Sequence, residues 1–247
     1  MIKFFRKIRY DLMEQNKTGK YFKYTIGEII LVVIGILIAL SINNWNEKAK
    51  DSVREREILV DLKTSLEDNL DLYSEVFEPR FAIKNKGLEY LKKATYENQN
   101  LPNDTLIIYI RAMQRDVIFR YDSGPYDALK SSGFELIRNK ELRKRIIKTY
   151  EVILPGFSSF INKYNDERVA LEQQYENDIL KEVIVKEEDG TLEIYGRIKV
   201  DNVLEHPSFI SLIALEEDKY ENYIYRMDFV IETMNLLIGQ IENELSP

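Results

Sequence analysis

Fourteen consecutive residues, Ile29 to Ile42 (IILVVIGILIALSI), carry no charge. Tyr24 to Gly27 lengthen the run on one side and Asn43 to Trp45 on the other, so that Tyr24–Trp45 spans 22 residues. A helix needs roughly 20 apolar residues to cross a hydrocarbon core of about 30 Å. The sequence therefore predicts one transmembrane helix over 24–45. Glu28 lies 17 residues before Trp45, about 26 Å along a helix. With Trp45 at the outer interface, Glu28 reaches the inner headgroups.

The flanks orient this helix. Residues 1–23 hold seven basic side chains (Lys3, Arg6, Lys7, Arg9, Lys17, Lys20, Lys23) and two acids, Asp11 and Glu14. That is a net +5, which leaves −12 for the rest of a chain of net charge −7. Basic flanks stay cytoplasmic, so the expected topology is N-terminus inside, with the C-terminal bulk periplasmic. Lys48, Lys50, Arg54 and Arg56 on the far side weaken this bias without reversing it. Tyr21, Phe22 and Tyr24 suit an inner aromatic belt, and Trp45, the only Trp, an outer one. Two rival uses of an apolar run fit less well. Ala39-Leu-Ser41 has the small-residue spacing of a signal-peptidase site, but its polar leader is long and its apolar run long enough to span. A buried core helix would have no use for paired belts and asymmetric charge. Within the cytoplasmic segment, Ile2, Phe5, Ile8 and Leu12 share a helical face among basic residues, as in an amphipathic helix on anionic lipid. A disordered basic leader accounts for the same residues equally well.

Residues 46–247 are enough for one sizeable core or two small ones. The chain has no Cys, which excludes disulfides, thiolate nucleophiles and thiolate metal sites. Ten Gly, six Pro and 31% charged residues suit long helices. An acidic exterior argues against nucleic acid, whose binding rests on neutralising phosphates.

Helical periodicity dominates. The polar run after Trp45 has no breaker and continues the membrane helix outward into Leu59, Leu62, Leu66, Leu70, Tyr73 and Phe77. Pro79, lacking an N–H, kinks or ends it. Phe81, Leu88 and Leu91 resume to about Ala94, a loop covers 96–104, and a short helix follows over 106–113 with Asn103 or Asp104 as its cap. Ser123-Gly-Pro125 opens a short helix that Gly133 ends, and Asn139 caps the next. Pro155 marks another boundary, before a helix to about Lys181. Val183–Lys186 and Thr191–Tyr195, about Asp189-Gly190, read as a β-hairpin over about 183–196 that must lie on the helices. Pro207 starts a last long helix with Tyr220, Tyr223, Ile224, Met227, Ile231, Met234, Ile238, Ile241 and Leu245 on one face. The expected fold is all-α: a transmembrane helix, then an extracytoplasmic bundle of four to five long helices with a small β-hairpin insert.

The segment NKTGKYFKYTIGEIILVVIGILIALSINNWNE, Asn16 to Glu47, resembles the opening of an uncharacterised flavobacterial membrane protein family, a domain of unknown function. The segments Gly124–Gly133 and Ile137–Leu142 resemble it too. The resemblance implies a single-pass inner-membrane protein with a helical exterior, and carries no activity and no site residues.

The chemical inventory predicts no enzyme, no cofactor and no metal site. The one histidine, His206, precedes Pro207 and reads as a cap. No G-x-S-x-G, H-E-x-x-H or Walker loop occurs. Glu216-Glu217-Asp218 reads as a solvated helix face. The stretch Tyr121–Asn139 concentrates Gly, Pro, Ser and Tyr. It reads either as a helix connection or as a loop lining a site; as a site, its contacts are Tyr121, Asp122, Tyr126, Lys130 and Arg138. In the membrane helix, Gly35, Ala39 and Asn43 share one face at four-residue spacing, which suits close helix packing and a homo-oligomer. These features predict a membrane-anchored, non-catalytic interaction or scaffold module whose partners are membrane lipid and another envelope protein. The alternative is a ligand-sensing domain signalling through a membrane partner.

Overall fold

The computed structural model describes residues 18–246 of the chain, and side chains from Thr25 onward. The basic stripe of residues 2–13 and the side chains of the belt residues Tyr21, Phe22 and Tyr24 lie outside that description. The chain divides into two units at Arg56/Glu57.

Helix α1 is Thr18–Leu72. Trp45 and the polar run that follows it continue the helix, because that run holds neither Gly nor Pro. In the first unit, α1 contains the only helix window among the described residues that is long and apolar enough to cross a membrane, with mean hydropathy 2.6 and no buried residue. Gly35, Ala39 and Asn43 are all exposed on it.

The second unit is mostly helical, with one small β-hairpin. The end of α1 passes through a π-helical turn, Tyr73–Phe77, into α2, Glu78–Tyr96. Pro79 sits in the first turn of α2, where a missing N–H costs nothing; the break predicted at this proline falls on the π turn just before it. Helix α3 is Asn103–Met113. Its cap position is Pro102, with no side-chain cap, so Asn103 and Asp104 stand inside the helix instead of capping it. Helix α4, Gly124–Ser132, ends at Gly133, whose φ of 95° favours glycine. Helix α5, Lys140–Lys148, is capped by Asn139, whose Oδ1 accepts from the Glu141 and Leu142 amides at 3.1 and 3.2 Å. A second π turn, Thr149–Ile153, leads into α6, Leu154–Ile179.

Strands β1, Leu180–Lys186, and β2, Leu192–Ile198, pair antiparallel from Leu180↔Ile198 to Lys186↔Leu192. The hairpin begins three residues earlier than the pattern predicts. Its turn is wider than a two-residue Asp-Gly loop: the Glu187 amide donates to the Thr191 carbonyl at 2.8 Å, with Gly190 at φ 86°. A left-handed glycine after a turn is the device of three-residue hairpin loops. Only the base of the hairpin lies on the helices; Ile184, Leu192 and Ile194 at its tip are exposed. Helix α7, Pro207–Leu245, is capped by His206, whose Nδ1 accepts from the Ser208 amide at 3.2 Å.

Two hydrophobic cores form. The larger joins Leu59, Leu62 and Leu66 of α1 to Phe81, Leu129, Ile146, Leu154, Ile161 and the α7 stripe Tyr223, Met227, Val230, Met234, Leu237, Ile241. The smaller joins Leu88, Leu91, Leu106, Ile110 and Met113 to Ile179, Leu180, Phe209, Leu212 and Ile213. Helices α2 and α7 serve both cores, with successive turns of one helix entering first one and then the other.

Candidate functional site

On α2, Phe81 belongs to the large core and Leu88 to the small one. Lys84 stands between them, fully buried. On α7, Ile213 belongs to the small core and Tyr223 to the large one. Between these stand Glu216 and Lys219, also fully buried. Burial puts the three charges together. Glu216 Oε2 accepts from Lys84 Nζ, and Glu216 Oε1 accepts from Lys219 Nζ at 3.2 Å. Asp116, in the strap after α3, closes the ring: it accepts from Lys84 at 3.4 Å and from Lys219 at 2.6 Å. Glu172 of α6 accepts from Lys219 at 3.0 Å, and the Met113 carbonyl from Lys84 at 2.6 Å. Each ammonium thus meets three acceptors, its full donor complement. Lys84 reaches Met113 because Gly87, one turn on, lets α2 approach α3: a Cβ there would lie 2.7 Å from the Met113 nitrogen.

The cluster holds three carboxylates against two ammoniums. Burial raises the Glu216 carboxyl to about 7, against the pull of Lys84 and Lys219. Burial lowers the Lys219 ammonium, but Glu216, Asp116 and Glu172 outweigh it, and the net shift is upward. Burial drives the Tyr223 hydroxyl well above its ordinary range, helped by Asp116 and Glu216. Such a closed ring ties helices together; every lysine donor is spent, and among the described residues no group of His, Cys, Asp or Glu suits a metal ion. The solvated face expected at Glu216–Asp218 is therefore corrected: only the flanking acids face outward. Glu217 pairs with Lys92, and Asp218 accepts from Tyr164 and pairs with Arg168. The missed signal was phase. Phe209, Leu212, Glu216, Lys219, Tyr223 and Met227 follow a three-and-four spacing, so the two charges sit on the buried stripe.

Solvent reaches a second feature. Two adjoining hollows, about 510 and 360 Å³, lie between α7 and the stretch from α5 to the start of α6, and share Ile153, Phe229 and Glu232. Phe157, Phe160 and Val230 complete the apolar lining of the first, and Leu236 that of the second. Tyr225, Phe229 and Leu236 are 79%, 57% and 52% exposed. Lys144, Arg145 and Lys148 stand on the α5 wall, with Glu141 paired to Lys144 at 2.8 Å. Asp228 and Glu232 stand on the α7 wall, where the Arg226 guanidinium lies over the Phe160 ring, 3.8 Å from its centroid. The π turn at Thr149–Ile153 sets which residues of this run face inward: Thr149 and Tyr150 are buried and Val152 is exposed.

The residues of the Tyr121–Asn139 stretch are placed individually. Asp122 docks its backbone on α1: its amide donates to Asn69 Oδ1 at 3.0 Å, and its carbonyl accepts from Ser65 Oγ at 3.2 Å. Its side chain accepts from the Gly124 amide at 2.9 Å, at the start of α4. Tyr121 is half-buried against the large core. Tyr126 lies inside that core, its ring stacked on Tyr150 with centroids 4.9 Å apart. Lys130 pairs with Glu151 at 2.9 Å on the surface, and Arg138 is exposed just before the α5 cap. An open hollow of about 420 Å³ takes in Asp122, Gly124 and Pro125 together with Asp61, Ser65 and Asp68 of α1; Tyr121, Tyr126, Lys130 and Arg138 do not line it.

Residues 28–86 match the model of a family of unknown function, DUF6090. The match begins at Glu28 in the apolar part of α1, runs through the first π turn, and ends at Lys86, so it takes in Lys84 but not the partners of its ammonium. No curated protein and no solved structure matches the chain.

Proposed function

We propose that the chain is a single-pass, membrane-anchored, non-catalytic protein-interaction module, its helical domain held outside the inner membrane by the 24–45 helix. The observation that carries this reading is the groove beside α7. Its lining presents Phe229, Leu236 and Tyr225 to solvent, and both of its sides carry charge. Contiguous exposed apolar surface rimmed by polar groups marks protein-binding faces. The buried ion cluster supports the non-catalytic part, because its lysines have no donor left for a substrate.

The test is a crosslinked pull-down of the full chain from its own membranes. It is run beside a version with an unrelated anchor and a Phe229→Arg variant. The expected result is a protein, whether another envelope component or a second copy, captured by the first two and lost with Phe229→Arg. Capture that survives Phe229→Arg but disappears with the anchor swap would move the interaction to Gly35, Ala39 and Asn43. Capture of nothing would overturn the reading.

A further inference from the structure

The occupant of the groove is constrained by the arrangement of its charges. Lys144, Arg145 and Lys148 line it from α5 beside Glu141, a net positive side, while Asp228 and Glu232 line it from α7 beside Arg226, a net negative side. The exposed apolar residues Phe229 and Leu236 also line it from α7, and Ile153 lines both hollows. A surface that binds itself about a two-fold axis must be self-complementary, because each residue meets its counterpart patch. A patch of one sign repels its own copy; a patch with opposite signs on either side of an apolar centre attracts it. A two-fold axis through the apolar lining sets the basic side of one copy against the acidic side of the other, twice. It also covers Phe229 and Leu236 with their own equivalents. Aromatic and aliphatic anchors at the centre with charges at the rim are the anatomy of such interfaces.

We propose that this groove is an isologous interface and that its occupant is a second copy of the chain. The proposal rests on the interaction reading above and names the partner of that same face. The complementary rims fix the register of the two copies, and the apolar lining supplies the buried area.

The experiment uses the full chain in detergent and in membranes. Because the sequence contains no cysteine, a single Phe229→Cys substitution reports on the centre of the groove alone. On oxidation it is expected to yield a covalent dimer, while Tyr96→Cys, more exposed and at the end of α2, stays monomeric. Charge supplies the second readout. One variant reverses the charge of the α5 side (Lys144→Glu, Arg145→Glu, Lys148→Glu); another reverses that of the α7 side (Asp228→Lys, Glu232→Lys). Circular dichroism first establishes that both are folded. Each alone is expected to dimerise at least tenfold more weakly than the wild type by sedimentation, and a one-to-one mixture is expected to restore dimers. A wild-type chain that stays monomeric, or rim variants that dimerise as well as the wild type, would overturn the proposal. The interaction reading is judged separately with a photocrosslinker at position 229 in native membranes. An adduct of twice the chain mass supports the second copy. An adduct of any other mass overturns the second copy and keeps the protein-interaction reading, and no adduct overturns both.

Discussion

Glu216 is a carboxylate with no exposed surface, between two buried lysines. Its folded value of about 7 lies above its ordinary 4.5 because burial penalises the ion more than the lysines reward it. Between those two values the folded chain holds a proton that the unfolded chain has released, so stability falls as pH rises through the window. At or below the lower value the effect is absent, and above the upper one it is complete. The expected loss is up to about 3 kcal/mol. Urea unfolding of wild type and Glu216→Gln across this range checks it: the variant lacks the wild-type slope, and two parallel curves would remove Glu216 from the account. Gly87 makes a second prediction at this scale. Its missing Cβ is what allows α2 to lie against the Tyr109–Met113 backbone. Gly87→Ala forces that backbone apart and lengthens the Lys84 bond to Met113, at a cost of about 1–3 kcal/mol. An unchanged thermal midpoint would show that the approach is not tight.

Among the elements, three of the starts and stops were legible because they are local. Pro207, Gly133 and Asn139 act through their own backbone or the next turn, and each does what its chemistry predicts. Asn139 carries the clearest test. Asn139→Ala removes the acceptor for two amides and should cost about 1 kcal/mol. Asn139→Asp keeps that acceptor but sets a carboxylate against Glu244, to which the Asn139 amide donates at 2.6 Å. A stability equal to wild type in Asn139→Ala, measured by chemical denaturation, would mean that α5 is held by packing alone. The hairpin was legible in kind but not in extent. Leu180 and Ile198 pair at its base because the small core needs them there, and neither belongs to the alternating pattern that announces the strands.

At the scale of the whole domain, the ion cluster sits where the two cores adjoin. A buried charge that loses one partner is strongly unfavourable, on the order of 3–5 kcal/mol. Glu216→Ala should therefore loosen both cores at once, while Leu212→Ala opens a cavity in the small core alone at about 2–5 kcal/mol. Hydrogen exchange distinguishes them. With Glu216→Ala, protection falls in α2 and in both halves of α7; with Leu212→Ala it falls chiefly around Leu91 and Ile110. Exchange confined to the small core in both variants would show that the cluster does not couple the two.

The sequence by itself determined the helical class, the apolar segment near the N-terminus, the Asn139 cap, the glycine stop at Gly133, and most of the α7 stripe. Each of these depends on residues within one or two turns of one another, where periodicity and backbone chemistry act directly. Only the tertiary structure decided that the buried Lys84, Glu216 and Lys219 meet the half-buried Asp116 and Glu172 in one ion cluster, and that Tyr126 faces a core while Phe229 and Leu236 face solvent. A lysine on an apolar stripe and a lysine on a wet face read alike in one dimension. The difference is made by compensating acids, one of them for each lysine more than a hundred residues away, and by whether any other helix covers the surface beside it.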